Sequence, residues 1–207
     1  MGNAAPLQLP GLLDGRTAAH WLQQLQTRPG GSLPLATALD LDAVLQALRP
    51  LHAHLVDRLG PAPQLVVSQC WVRRALPPHG WHQDGALHHD FLAPPAAVPP
   101  EPLPMWTAWI ALTPCGTDAP SLAWVPAPQP ALLPVAALTD ATVRARHPRI
   151  AHAVLAPGDA LLFDGGLLHA THHTPQMHAE RTSIELRCIA AGPVPARLQR
   201  ETLRRWD

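Results

Sequence analysis

The chain has 207 residues, of which 47% are hydrophobic and 14% are charged, so it can bury a sizeable core within one domain. Fifteen arginines balance fifteen acidic residues, and a net charge of zero argues against a protein that binds nucleic acid or an anionic membrane surface. Cys70, Cys115 and Cys188 lie too far apart to suggest a disulfide framework, and no signal peptide or membrane-length apolar run is evident, so we expect a cytoplasmic protein without membrane partners.

The first sixty residues carry two helical patterns. Asp14 is a candidate N-cap for a helix that ends at Gly30-Gly31, and its apolar stripe consists of Ala18, Trp21, Leu22 and Leu25. A second helix is predicted after Asp40 and ends at Gly60-Pro61, with the stripe Val44, Leu45, Leu48, Leu51 and Leu55. Residues 1–60 are therefore predicted to form a helical N-terminal part.

From Leu65 onward the sequence is typical of short strands. β-Branched, aromatic and apolar runs occur at residues 65–74, 106–112, 121–125, 152–156, 159–163 and 182–190, with proline-rich stretches such as 93–104 between them. A short helix is predicted within 135–149, but no helices alternate regularly with the strands, which disfavours a parallel sheet. The pattern predicts a mainly β sandwich or barrel over 65–190, with helices packed outside and a C-terminal tail at 191–207, as one domain over 1–207.

The stretch Trp81-His82-Gln83-Asp84 is the most informative motif. In an extended chain alternate side chains face the same way, so His82 and Asp84 can reach one metal ion together. His169 is the candidate third ligand, because it directly follows a predicted buried strand and a Gly-Gly turn. Two imidazoles and one carboxylate form the facial triad of non-haem Fe(II) oxygenases, which leaves three coordination positions open.

Arg181 and Ser183 follow His169 and share one face of the last predicted strand. The planar guanidinium of arginine matches a carboxylate, and the serine hydroxyl adds a hydrogen bond. An anion site beside an iron triad indicates a dicarboxylate cosubstrate.

These motifs together resemble the phytanoyl-CoA dioxygenase-like branch of the Fe(II)/2-oxoglutarate-dependent oxygenases. The matching stretches are WHQD at 81–84, WTAW at 106–109, PGD at 157–159, His169 and RTS at 181–183, and the resemblance spans Leu65 to Ala190. It implies a double-stranded β-helix, a cupin-like jelly-roll barrel, that uses Fe(II), 2-oxoglutarate and O2. The implied reaction decarboxylates 2-oxoglutarate to succinate and hydroxylates a C–H bond of a small metabolite.

The resemblance and the strand pattern indicate five further site residues. Relatives place a tryptophan matching Trp106 beside 2-oxoglutarate, and they often carry a polar or lysine side chain on the strand before the HxD motif. This chain has no lysine, and Gln69 and Arg73 share one face of that strand and can substitute. His88 follows the motif closely enough to line the substrate entrance, and Arg187 faces the same way as Arg181 and is a candidate substrate contact.

Two other classes of function remain open from the sequence. A cupin-like isomerase or hydrolase can use the same His/Asp/His site with zinc and without 2-oxoglutarate. A non-catalytic binding module on the same barrel is the third hypothesis. Desaturation, epoxidation and cyclisation also use the triad, and neither the substrate nor the oligomeric state can be predicted.

Overall fold

The computed structural model describes residues 5–74, 77–87, 101–129, 131–134 and 137–207. His88 and most of the proline-rich stretch at 93–104 lie outside these ranges. None of the helices within the described ranges has the length and apolar character needed to cross a bilayer.

The described residues form a mainly β protein with helices concentrated near the N-terminus. The helices are α1 (Gly15–Gln26), α2 (Leu35–Ala38), α3 (Leu41–Ala47), α4 (Arg49–Leu59) and α5 (Asp140–Arg146). The strands are β1 (Leu7–Leu9), β2 (Gly31–Pro34), β3 (Gln64–Val66), β4 (Trp71–Arg74), β5 (Met105–Ala111), β6 (Ser121–Trp124), β7 (Ala151–His152), β8 (Ala160–Asp164), β9 (His169–His172), β10 (Thr182–Ile189) and β11 (Leu203–Arg205).

Two antiparallel sheets face each other. The larger has the order β1-β8-β5-β10-β3-β11, with β4 also paired to β10 and β2 to β4, and the smaller has the order β7-β6-β9. Trp109, Leu161 and Phe163 of the large sheet pack against Leu122 of the small sheet and against Ala153 beside it. This arrangement of two packed antiparallel sheets is the predicted jelly-roll.

Strand alternation divides the large sheet into a helix-covered face and a face turned towards the smaller sheet. On the covered face Ala108, Ile110, Ile184 and Leu186 pack with the apolar residues of α1, α3 and α4 into one large core. The intervening residues of β5 and β10 face the other sheet, and they are the ones available to build a site.

The N-terminal part is helical as predicted, with two differences. The Asp14 side chain caps α1 by accepting from the backbone N–H groups of Arg16 and Thr17. The second predicted helix is divided into α3 and α4 at Leu48, because Pro50 in the first turn of α4 has no N–H to continue the α3 hydrogen-bond series. Strands β1 and β2, which were not predicted, add the N-terminal part to the edges of the large sheet.

The C-terminal residues are part of the sheet rather than an appended tail. Strand β11 pairs with β3, and Trp206 beyond it is 3% exposed. The predicted strand at 65–74 is divided into β3 and β4 by a 3-10 turn at Val67–Gln69. Both differences bear on the site described below, because Gln69 of this turn lines it and Glu201 of the C-terminal segment accepts from the Gln69 side chain.

The PGD motif has a structural role. Gly158 has a φ of 93°, and a Cβ at this position would lie 2.1 Å from the carbonyl oxygen of Leu13. The Asp159 carboxylate accepts from the backbone N–H groups of Gly11 and Ala156, at 2.8 and 2.9 Å. The turn therefore ties the N-terminal segment to the start of β8.

Candidate active site

The structure brings the three predicted metal ligands together. The backbone N–H of His82 donates to the carbonyl of His169 at 2.8 Å, and the N–H of His169 donates back to His82 at 3.0 Å. Possible ligand atoms of His82, Asp84 and His169 all lie within 4.8 Å of one another. The intervening Gln83 anchors the motif, because its side-chain amide donates to the carbonyls of Ala131 and Gly166 and accepts from the N–H of Leu133.

Both imidazoles are held in the form that a metal needs. The Nδ1 of His82 lies 2.7 Å from the carbonyl oxygen of Gly80, and the Nδ1 of His169 lies 3.0 Å from that of Leu167. Because a carbonyl only accepts, each Nδ1 donates, and each Nε2 keeps a free lone pair. Burial lowers the pKa of His82 to about 4 and lowers that of His169, so both rings are neutral at physiological pH.

Asp84 completes the donor set as a carboxylate. Thr107 Oγ1 donates to its Oδ2 at 2.6 Å, and Arg187 Nη2 donates to its Oδ1 at 2.8 Å. Burial alone would raise the pKa of Asp84, but the positive charge of Arg187 and its hydrogen bond hold the pKa well below its usual range. Two neutral imidazoles and one carboxylate fit Fe(II) with open coordination positions.

Arg181 lines the cavity that also contains the triad, and no described residue forms a hydrogen bond or an ion pair with it. Its guanidinium lies over the ring of Trp109, 5.5 Å from the ring centroid, and burial lowers its pKa. Ser183 Oγ and Trp109 Nε1 are buried and lack a hydrogen-bond partner within the described ranges. Buried polar groups are normally paired, so these groups fit a ligand that brings acceptor oxygens.

The triad and Arg181 line one cavity of about 300 Å³. Gln69 and Arg73 also line this cavity, but they do not share one strand, since Gln69 lies in the 3-10 turn and Arg73 on β4. Arg73 is engaged within the protein, since its Nε lies 3.1 Å from the carboxylate of Glu185. Arg187, the candidate substrate contact, is bound to Asp84, the predicted carboxylate ligand of the triad.

The structure does not bring Trp106 to this cavity. Trp106 packs against the helix-covered core, and the guanidinium of Arg58 lies 5.0 Å from its ring centroid. Strand alternation explains the difference, because Trp106 shares the covered face of β5 with Ala108, whereas Trp109 shares the cavity face with Thr107. Within the WTAW motif, side chains alternate between the two faces of the strand, so Thr107 and Trp109 share one face and Trp106 lies on the other.

Two further cavity residues were missed by the sequence reasoning. Glu185 lies on β10 between Ser183 and Arg187, on the face shared by Arg181, and this parity was available in the sequence. His79 precedes the HxD motif, and its ring centroid lies 4.7 Å from that of His82. No sequence pattern distinguished it among thirteen histidines.

Comparisons with known proteins identify the fold through solved structures. No family model matches the chain, and no curated protein matches it. The structure resembles the non-heme alpha ketoglutarate dependent epimerase SnoN from nogalamycin biosynthesis (TM-score 0.66, 15% identity, 90% of this chain and 77% of that chain). It also resembles HygX from Streptomyces hygroscopicus with nickel and 2-oxoglutarate bound (TM-score 0.68, 16% identity, 90% of this chain and 82% of that chain). A third similar structure is EctD from S. alaskensis with bound Fe (TM-score 0.66, 16% identity, 90% of this chain and 73% of that chain). At these identities the likeness establishes the jelly-roll fold predicted from the sequence, and the function is argued from the site.

Proposed function

We propose that the protein is an Fe(II)/2-oxoglutarate-dependent oxygenase that hydroxylates a C–H bond of a small molecule. One observation carries the proposal: a His/Asp/His triad and a cation without a described polar partner line the same cavity. The structural neighbours are described with iron, nickel and 2-oxoglutarate bound, which supports the same metal and cosubstrate here. The motif resemblance to phytanoyl-CoA dioxygenase-like enzymes points the same way.

His82, Asp84 and His169 would hold the iron. Their neutral rings and ionised carboxylate need no proton release at physiological pH, and the carbonyls of Gly80 and Leu167 fix the ring orientations. When bound, iron with 2-oxoglutarate and O2 supplies the oxidising power, and the cosubstrate leaves as succinate and CO2.

Arg181 would bind the carboxylate of 2-oxoglutarate that is remote from the metal. A carboxylate there can accept from the guanidinium, and the unpartnered Ser183 hydroxyl and Trp109 N–H offer two further donors. Ser183 lies two residues beyond Arg181 on the same face of the chain, and the ring centroid of Trp109 lies 5.5 Å from the Arg181 guanidinium. This end of the cavity would orient the cosubstrate and exclude water from it.

The remaining walls would receive the substrate. They combine apolar surface from Trp71 and Leu122 with the Arg73–Glu185 ion pair and His79. A cavity of about 300 Å³ that also holds the cosubstrate suits a small molecule. SnoN is an epimerase with a similar fold, so product analysis tests whether the reaction here is hydroxylation.

Anaerobic titration of the metal-free protein with Fe(II) and then 2-oxoglutarate tests the proposal. We expect a weak visible charge-transfer band that is absent from His169→Ala. Succinate release in air, measured across a panel of candidate substrates, then identifies the substrate by its coupling to a product 16 mass units heavier. Metal binding without a band would refute the proposal and favour the cupin-like isomerase or hydrolase.

A further inference from the structure

We propose that Arg187 is a positioning residue that fixes the carboxylate of Asp84 for metal binding, rather than a substrate contact. The proposal rests on the metal-binding part of the proposed function, and it does not depend on the cosubstrate or on the substrate. It assigns a role to the most buried of the arginine–carboxylate ion pairs described for the cavity, which neither the sequence pattern nor the triad explains.

Asp84 is held from both sides by two adjacent strands. Arg187 on β10 and Thr107 on β5 are register partners, and they donate to Oδ1 and Oδ2 of Asp84, at 2.8 and 2.6 Å. Oδ1, the oxygen bound by Arg187, lies 3.8 Å from Nε2 of His82, so it faces that member of the triad. One donor on each oxygen fixes the plane of the carboxylate, which neither donor could do alone.

Arg187 is itself anchored at its other terminal nitrogen. Its Nη1 donates to the carbonyl oxygen of Gln69 at 2.9 Å, and the residue is 7% exposed. The side-chain amide of Gln69 donates to the carboxylate of Glu201 at 3.1 and 3.2 Å. Glu201 precedes β11, so the C-terminal segment supports the turn that holds Arg187.

These contacts leave Arg187 poorly suited to bind substrate. Both terminal nitrogens are used within the protein, and Nε is buried without a hydrogen-bond partner among the described residues. A substrate anion at Arg187 would also have to lie beside the carboxylate of Asp84, which already balances the charge of the guanidinium. By contrast, the planar fork of arginine suits a bridge between two fixed oxygens, which a lysine ammonium cannot reproduce.

Cobalt(II) binding to the metal-free protein tests this role without any catalytic turnover. Removing the partner of a metal ligand typically costs 10–100-fold in metal affinity, so we expect Arg187→Met to raise the Co(II) dissociation constant by about that factor. Its visible Co(II) spectrum should also shift, because Asp84 is held by Thr107 alone. Arg187→Lys keeps a positive charge beside Asp84 and protects the fold. We expect it to lose roughly tenfold in Co(II) affinity and to show the same spectral shift.

Arg74→Met is the matched control. Arg74 lies on β4 and donates to the carbonyls of Leu25, Gln26 and Arg28, away from the cavity. This control should lower the thermal midpoint and leave the Co(II) dissociation constant and spectrum unchanged.

The outcomes separate the two proposals. Wild-type affinity and spectrum in folded Arg187→Met or Arg187→Lys would overturn the positioning role while leaving the metal site intact. Failure of the wild-type protein to bind Co(II) or Fe(II) would instead overturn the proposed function. A lower thermal midpoint with unchanged Co(II) binding would show a purely structural residue and would also refute the role.

Discussion

Replacing Arg181 with methionine should abolish most of the affinity for 2-oxoglutarate while leaving metal binding intact. Arg181 lies on the cavity wall without a described hydrogen-bond or ion-pair partner, so its charge is available to a ligand. The triad lies elsewhere in the cavity and is held by its own contacts with Thr107, Gly80 and Leu167. Loss of the cation should therefore act on the cosubstrate alone.

The expected size follows from the environment of Arg181. A carboxylate about 4 Å from a guanidinium gains about 4 kcal/mol at an effective dielectric constant near 20. Burial disfavours the charged form of Arg181 and lowers its pKa, so part of this gain is offset by desolvation. We expect a net loss of about 3 kcal/mol, which is roughly a hundredfold in the dissociation constant of 2-oxoglutarate.

The assay is anaerobic titration of the Fe(II) protein with 2-oxoglutarate, followed by its charge-transfer absorbance. Arg58→Met provides a matched control, because Arg58 also lies over a tryptophan, at 5.0 Å from the ring of Trp106 on the opposite face of β5. The control should bind 2-oxoglutarate normally. Unchanged 2-oxoglutarate affinity in Arg181→Met, with Fe(II) bound, would show that the remote carboxylate is held elsewhere.

Three other predictions follow from the same structure. Trp109→Phe should weaken 2-oxoglutarate binding several-fold in the same titration because an unpartnered buried N–H is lost, whereas an equal loss in Trp106→Phe would refute the assignment. Leu51→Ala removes a fully buried side chain of α4 and should lower the free energy of unfolding in urea by about 3 kcal/mol, and a loss below about 1 kcal/mol would contradict the core position. The metal-free protein should lose stability as the pH falls from 7 to 5, because burial holds the folded-state pKa of His82 at about 4 and lowers that of His169, while unfolded imidazoles titrate near 6.5 and take up protons. Urea midpoints at the two pH values check this, and the difference between them should shrink when both histidines are replaced by glutamine.

The fold was predictable where one physical signal dominated. Alternating and β-branched runs located the central strands β5, β8 and β10, and the Asp14 cap located α1. The short strands β1, β2 and β11 carry no such signal, because each has only three or four residues and is defined by pairing with distant strands. Local sequence does not encode that pairing, so the C-terminal segment could not be placed in the sheet.

The site was predictable to the extent that its residues are linked by fixed local geometry. His82 and Asp84 follow from their spacing, and His169 and Arg181 from their positions relative to predicted strands. Trp106 was selected by the family resemblance alone, and strand parity places Trp109 in the cavity instead. The partner of Arg187 could not be predicted, because Asp84 lies 103 residues away in sequence and meets it only after both sheets have formed.

The charges of the cavity favour a dicarboxylate over a neutral or cationic ligand. Arg73, Glu185, Arg187 and Asp84 form an alternating series in which each charge has an opposite neighbour within 4 Å. Arg181 stands outside this series, and a divalent metal at the triad would add two further positive charges that Asp84 alone does not balance. A dianion with one end at the metal and the other at Arg181 places a negative charge against each excess. A monocarboxylate would leave either the metal or the buried guanidinium without a counter-charge, so it should bind much more weakly than 2-oxoglutarate at equal concentration.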